Sequence, residues 1–435
     1  MAIFPVEPIK FEGENSDNAL AYHYYDKNKK VLGKSMEDHL RIAVCWWHNF
    51  CWNGFDIFGE GTFEHPWLKA SDPMKASVLK MDAMFELLQK TDLKYFTFHD
   101  RDIAPEGGSL KESNANVRAM ADKIAKKMQD TGKELLWGTA NLFSNKRYMA
   151  GAATNPNPDV FAFAAAQVKN AMDVTYDLGG HNYVFWGGRE GYDTLLNTDM
   201  KREAQQMARF LSMAVEYKHK IGFKGTLLIE PKPCEPTKHQ YDYDTATVYA
   251  FLQKFGLEKE FKVNIEGNHA TLSGHSYPHE VAYACANDLL GNIDANQGDA
   301  QLGWDLDLYP TNTVDNTLVM YYLLKHGGFT TGGFNFDTKL RRQSIDLADF
   351  FHGHVGGVDA LARGLIAAAE LIENDTLQAN IDKRYAAWQD SLGQDILNGS
   401  ADMASMAQYV EQNGTNPAPV SGQQERLERI LNETV

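Results

Sequence analysis

Cysteine is scarce. The 435 residues hold four, Cys45, Cys51, Cys234 and Cys285, and no two are spaced as CxxC. That pattern excludes a disulfide framework and reads as reduced, mostly buried thiols, the usage expected of a cytoplasmic protein. Long apolar runs are also missing. No stretch approaches the roughly 18 residues that a membrane-spanning helix needs, so no membrane role is expected. Residues 1–10 carry no basic segment followed by an apolar core, and no secretion signal is expected. Positive charge is in deficit, with 42 Lys and Arg against 58 Asp and Glu and a net charge of −16. Such a balance argues against nucleic acid or an anionic membrane surface as partner. Part of the acidic surplus is explained if the chain holds cations.

What is present looks globular. Hydrophobic residues make up 43% and charged residues 23%, enough for a large core. Length alone suggests two or three domains at roughly 150 residues each, although α/β barrels run longer as one unit. From Ser35, whose Asp38 completes a capping pattern, helical segments and short apolar runs alternate. Ser71-Asp-Pro73 starts a helix in which Met74, Val78, Met81, Phe85 and Leu88 share one face. Val117, Met120, Ile124 and Met128 mark the next. Further helices are expected over 159–178, 199–220, 244–255, 278–290, 313–326 and 356–373.

The apolar runs between them are expected as strands at 42–47, 95–99, 135–139, 183–186, 226–230, 262–266, 292–294 and 334–337. Eight such runs predict a (β/α)8 TIM barrel. An open doubly wound sheet is the alternative, but no GxGxxG follows the first strand. Residues 1–379 are expected to form the barrel with an N-terminal extension. Residues 380–435, polar with helical pieces near 401–411 and 422–433, are expected to form a C-terminal helical arm for subunit contacts.

In such a barrel the carboxyl ends of the strands share one mouth. The central stretch is Lys262-Val-Asn-Ile-Glu-Gly-Asn-His269, where an apolar strand ends in Glu266 and His269 follows three residues on. Glu230, Asp294 and Asp337 close other strands. Asp305 and Asp307, spaced by two, face one way if their segment is extended. Six carboxylates and His269 at one point repel strongly unless cations neutralise them. Oxygen-rich ligation with one imidazole fits two divalent cations, Mg²⁺, Mn²⁺ or Co²⁺, better than structural zinc. Lys232, two residues after Glu230, faces the same volume and can hold an anionic or polarised oxygen. His99 is followed at three residues by Asp102, a carboxylate that can fix its tautomer for proton transfer. Trp47, Trp137, Trp186 and Phe58 offer aromatic walls of the kind sugar rings stack on, and Thr139 ends the third strand beside them. At this level three other readings stay open: a sugar epimerase or isomerase working by proton abstraction, a metallohydrolase, and a non-catalytic sugar-binding protein.

Several long motifs carry a resemblance. They are Phe96-Thr-Phe-His-Asp-Arg-Asp102, Tyr183-Val-Phe-Trp-Gly-Gly-Arg-Glu-Gly-Tyr192, Leu228-Ile-Glu-Pro-Lys-Pro233, Pro236-Thr-Lys-His-Gln-Tyr241, Asn264-Ile-Glu-Gly-Asn-His-Ala270, Gly303-Trp-Asp-Leu-Asp307 and Gly333-Phe-Asn-Phe-Asp337. Through nearly its whole length the chain resembles the xylose isomerases, of the longer class with an N-terminal extension. The resemblance implies a cytoplasmic homotetramer that interconverts D-xylose and D-xylulose, and also D-glucose and D-fructose. It implies a two-metal-assisted 1,2-hydride shift after ring opening. Carried over by position, Glu230, Glu266, Asp294 and Asp337 hold one metal. Glu266, His269, Asp305 and Asp307 hold the second. His99 with Asp102 assists ring opening, and Lys232 binds O1. Trp47 and Trp186 line the substrate, with Phe58 supplied by a neighbouring subunit.

Overall fold

The computed structural model describes residues 2–435. Eight parallel strands close into a barrel. They are β1 (Ala43–Cys45), β2 (Tyr95–His99), β3 (Glu134–Thr139), β4 (Asn182–Trp186), β5 (Thr226–Glu230), β6 (Phe261–Glu266), β7 (Leu290–Asp294) and β8 (Phe334–Phe336). Closure runs through β8 and β1, where Asn335 stands opposite Ala43 and Phe336 opposite Val44. Helices α1 (Pro73–Thr91), α2 (Leu110–Thr131), α3 (Pro158–Asp177), α4 (Met200–Ile221), α5 (Thr245–Phe255), α6 (Tyr277–Ala286), α7 (Thr313–Lys325) and α8 (Asp349–Glu373) form the outer ring. This is the (β/α)8 barrel that the alternation of patterns predicts. No helix among the described residues is long and apolar enough to cross a membrane.

Local chemistry sets the element ends. Asp72 accepts from the amide of Lys75 and Pro73 fills the first turn of α1. Ser109, Asp199 and Asp244 cap α2, α4 and α5 in the same way, and Gly132, Gly222 and Gly256 end them with left-handed backbone. The strands are buried along nearly their whole length, which is why they read as apolar runs rather than alternating ones.

Several ends differ from expectation. The first strand stops at Cys45, because Trp47–Cys51 winds into a single π-helical turn. Trp47 is therefore carried by that turn and not by the strand. Helix α8 begins at Asp349, earlier than periodicity suggests, and two helices, Thr376–Tyr385 and Ser391–Leu397, precede the two expected in the arm. The 379/380 division falls inside the first of these. Their side chains are largely exposed, leaving little apolar surface for an independent core.

Strand β8 approaches β7 so closely that Gly332 has no room for a side chain. A Cβ there would lie 1.9 Å from the carbonyl oxygen of Gly291. Gly332→Ala must push this backbone apart, and a cost of about 1–3 kcal/mol is expected. Urea unfolding should show a lower midpoint with an unchanged slope. An unaltered midpoint would mean that the seam yields freely.

Candidate active site

Residues two apart on a strand face the same side. On β6, β7 and β8 the inward pairs are Asn264 and Glu266, Asn292 and Asp294, and Asn335 with Asp337 just beyond. The asparagines form a hydrogen-bonded layer beneath the acids. Asn264 Nδ2 donates to Glu230 Oε2 and to Asp294 Oδ2, both at 2.9 Å. Asn335 Nδ2 donates to Asp294 Oδ1 at 2.9 Å. Asn292 Nδ2 donates to Asn264 Oδ1 at 2.7 Å. The signal was in the sequence as a repeated Asn-x-acid at three successive strand ends, and the sequence reading missed it.

Above this layer the acids crowd together. Single oxygens of Glu230, Glu266, Asp294 and Asp337 all lie within 4.8 Å of one another. Glu266 also groups within that distance with Asp305 and Asp307, and with Glu230 and His269. Its oxygens thus belong to both halves of the site. His269 Nε2 is 3.0 Å from Glu266 Oε2 and 3.4 Å from Asp305 Oδ2. Octahedral oxygen ligands at about 2.0–2.1 Å from Mg²⁺ stand about 2.9 Å apart along an edge and about 4.2 Å apart across the ion. The donor set and its spacing fit divalent cations.

The expectation that Asp305 and Asp307 lie on one extended segment is corrected. Asp307 has φ of +48°, in the left-handed region, and no strand forms there. The turn sends the two carboxylates to different partners. Asp305 ion-pairs with Lys232 and accepts from Asn268 Nδ2 at 2.8 Å. Asp307 meets Lys339 Nζ at 2.7 Å and His48 Nε2 at 3.2 Å. His48 Nε2 is also 3.1 Å from Asp337 Oδ1. Neither His48 nor Lys339 was singled out in the sequence. Each follows a motif residue, Trp47 or Asp337, and nothing in their spacing points to the acids. Asn296, whose Nδ2 donates to Glu266 Oε1 at 2.8 Å, was missed too.

One cavity of about 270 Å³ joins these groups to an aromatic wall. Trp47, Trp137, Thr139, Phe143, Trp186, His99 and Lys232 line it with the acids. The Trp47 ring lies tilted 5.4 Å from that of Trp137 and edge-on 4.6 Å from that of His99, and its Nε1 donates to Asp337 Oδ1 at 2.8 Å. Its neighbour Trp46 is fully buried against Phe96 and Phe98 instead. Phe143, missed in the sequence, packs edge-on to Trp186 at 4.5 Å. Lys232 Nζ stands 5.4 Å from the Trp186 ring. Thr139 Oγ1 donates to the Val184 carbonyl at 2.6 Å. His99 Nδ1 pairs with Asp102 Oδ2 at 2.9 Å, and the same oxygen accepts from the His99 amide at 2.7 Å. Phe58 does not line this cavity. It is 73% exposed at a loop tip, stacked on Trp304.

The electrostatics follow from burial. With protein groups alone, burial pushes the Glu266 carboxyl up to about 7, partly offset by His269. Burial and then repulsion from Asp294 raise Glu230, and burial and then Asp337 raise Asp294. Burial opposes charge on His269 and His48, yet the carboxylates overcome it. Glu266 and Asp305 raise His269 well above its ordinary value, and Asp307 and Asp337 raise His48 to about 10. Burial likewise opposes Asp305, which Lys232 and His269 hold well below the carboxylate range.

A family model described as the XylA2 C-terminal domain matches residues 381–435. A xylose isomerase of Haemophilus influenzae is 59% identical over 430 residues, covering 99% of this chain and 98% of that protein. One from a Marinomonas species is 59% identical over 427 residues, covering 98% and 97%. A crystal structure from Rhodospirillum rubrum, provisionally named a xylose isomerase, superposes with a TM-score of 0.52 at 15% identity. It covers 74% of this chain and 98% of that one, and at that identity the likeness concerns the fold.

Cation binding should therefore be linked to pH. Glu266, Glu230 and Asp294 have folded-state values above the ordinary carboxylate range, so the fold holds protons that the unfolded chain has lost. Without cations, stability from this cluster falls as pH rises from about 4.5 through about 7. His269 acts in the same direction, its contribution being present below its ordinary 6.5 and lost as pH rises through its raised value. Divalent cations replace those protons. The gain in Tm given by saturating Mg²⁺ over EDTA should be larger at about pH 8 than at about pH 5.5. Calorimetry at both values checks it, and a gain that shrinks toward alkaline pH would contradict the assignment.

Proposed function

The chain belongs to the xylose isomerase family, and from that premise we propose that it interconverts D-xylose and D-xylulose, and also D-glucose and D-fructose. The observation that carries the reading is the sharing of Glu266 between two carboxylate groups beside an aromatic wall. Glu230, Glu266, Asp294 and Asp337 would hold one divalent cation, and Glu266, His269, Asp305 and Asp307 the second. Mg²⁺ is the cation we favour, with Mn²⁺ and Co²⁺ as substitutes. Bound there, such ions supply Lewis-acid charge to the sugar oxygens and ease loss of a hydroxyl proton.

The chain's own groups account for the rest. His99, fixed in one tautomer by Asp102, moves a proton from O1 of the cyclic sugar toward the ring oxygen as the C1–O5 bond breaks. Lys232 then donates a hydrogen bond to O1 of the open aldehyde and stabilises charge that develops there. In the isomerisation the C2–H bond breaks and a C1–H bond forms. C2 is oxidised to the ketone, C1 is reduced to the alcohol, and the O2 proton ends on O1. Trp47, Trp137, Phe143 and Trp186 keep water from the reacting carbons, which a hydride shift requires. Thr139 bounds the substrate beside them.

Phe58 and the C-terminal arm concern assembly. We read the protein as a cytoplasmic homotetramer in which Phe58 enters a neighbour's cavity and residues 380–435 contact other subunits. The exposure of Phe58, Ile57 and Phe55 on one loop supports this. The sugar is the only ligand class besides the cations; nucleic acid and membrane have no part in the reading.

Three measurements test the chemistry. Protein stripped with EDTA should not convert D-xylose, and Mg²⁺, Mn²⁺ or Co²⁺ should restore it. Glu266→Gln should lower turnover more than about 100-fold, since losing even an outer partner of a ligand costs about 10–100-fold. Conversion that survives verified cation removal would overturn the site. Separately, turnover in D₂O should leave C1 of the product almost free of deuterium. Substantial incorporation would replace the hydride shift with an enediol formed by proton abstraction.

A further inference from the structure

A second group of ligand atoms lies outside the cavity, where the chain leaves the short helix Gly267–Leu272 and enters α6. His275, His279 and Glu280 each place one donor atom within 4.8 Å of the other two. Each is held differently. The His275 amide donates to the Ala270 carbonyl at 3.0 Å, and its ring Nε2 lies 3.1 Å from Asp244 Oδ2. Glu280 is buried. Its Oε2 accepts from the Thr245 amide at 2.9 Å and from Thr245 Oγ1 at 2.6 Å. That leaves Oε1 free, 3.9 Å from His275 Nε2. His279 is exposed, in the first turn of α6, with its ring 5.0 Å from that of His275.

Charge at this place is unbalanced. Asp244 and Glu280 are two carboxylates, and among the described residues neither has a Lys or Arg within ion-pair distance. Among the described residues their only basic neighbour within ion-pair distance is His275. None of the four side chains has a part in the proposed reaction.

The geometry points to a further cation site, in which His275, His279 and Glu280 bind one transition-metal ion of the Zn²⁺ class and the Asp244 carboxylate, 3.1 Å from His275 Nε2, adds negative charge beside it. Two imidazoles and a carboxylate are a borderline set that selects zinc-like ions over Mg²⁺, the reverse of the oxygen-rich main site. Tetrahedral zinc at about 2.0–2.2 Å from its ligands brings them about 3.3–3.6 Å apart. Rotation of the exposed His279 ring closes the remaining distance, while Glu280 is already braced by Thr245. Three protein ligands leave a fourth position to water. A bound ion would tie the start of α6 to the loop behind His269. Through Thr245 and Asp244 it would tie both to the start of α5 as well.

The test counts zinc. Stripped protein is dialysed against Zn²⁺ in the presence of Mg²⁺, and the retained metal is measured by atomic emission. The wild-type chain should keep one Zn²⁺ more per chain than the His275→Gln/His279→Gln double variant. Glu266→Gln, altered only in the main site, should keep that extra ion. Because His279 is exposed, His279→Gln alone serves if the double variant folds poorly, and it should lose the same ion. Zn²⁺ should also raise Tm less in these variants than in the wild type, while their Mg²⁺-dependent turnover is unchanged. Equal zinc counts in wild type and variants would overturn the proposal.

Discussion

Six carboxylates share one small, buried volume, and the molecule is arranged around making that tolerable. Two like charges a few ångströms apart away from water repel strongly, and each also resists leaving water. The fold answers in three ways. Fixed cationic side chains stand at the edges, with Lys232 on Asp305, Lys339 on Asp307 and His48 between Asp307 and Asp337. Neutral amides stand below, donated by Asn264, Asn335 and Asn296. The centre, around Glu266, Glu230 and Asp294, has neither in sufficient number, and its carboxyls are the ones driven upward in pKa. The unmet charge is therefore concentrated where divalent cations fit.

The barrel makes this possible because each strand contributes only one or two inward residues at a given height. Strands β5 to β8 present acids at the mouth and, on β6 to β8, asparagines one layer down. Strands β2 to β4 present His99, Thr139 and Trp186 to the same cavity, with Trp137 one layer below Thr139. The cavity is thereby divided, with polar ligands on one side and aromatic faces on the other. Further down, Ala43, Tyr95, Leu136, Trp137, Val184 and Leu228 pack as a small apolar cluster. The asparagine layer sits where an apolar interior would otherwise leave the carboxylates without donors.

Much of this was legible in the sequence. Helix caps at Asp72, Ser109 and Asp244 follow local rules, and parallel strands buried on both faces announce themselves as apolar runs. The acids at the ends of β5, β6 and β7 could be placed once the strands were counted. Long-range geometry was not legible. The pairing of Asp305 with Lys232, and of Asp307 with Lys339 and His48, depends on a left-handed turn at Asp307, a conformation that local patterns rarely signal in a non-glycine residue. Trp47 lines the cavity, but a π-helical turn and not the expected strand carries it there. The arm's first two helices went unread because their exposed faces carry no apolar periodicity to detect.

Trp47 also shows why the two halves of the cavity cannot be treated as separate. Its ring packs against Trp137 and His99, while its Nε1 donates to Asp337. The residue next to it in the chain, His48, contacts the same carboxylate. A single turn of five residues thus connects the apolar wall, the His99–Asp102 pair and the acid cluster. Movement of Asp337 would be felt at the Trp47 ring in the cavity wall. Consecutive side chains, Trp47 and His48, reach the same oxygen, Asp337 Oδ1. The turn that carries them therefore joins the acids to the wall.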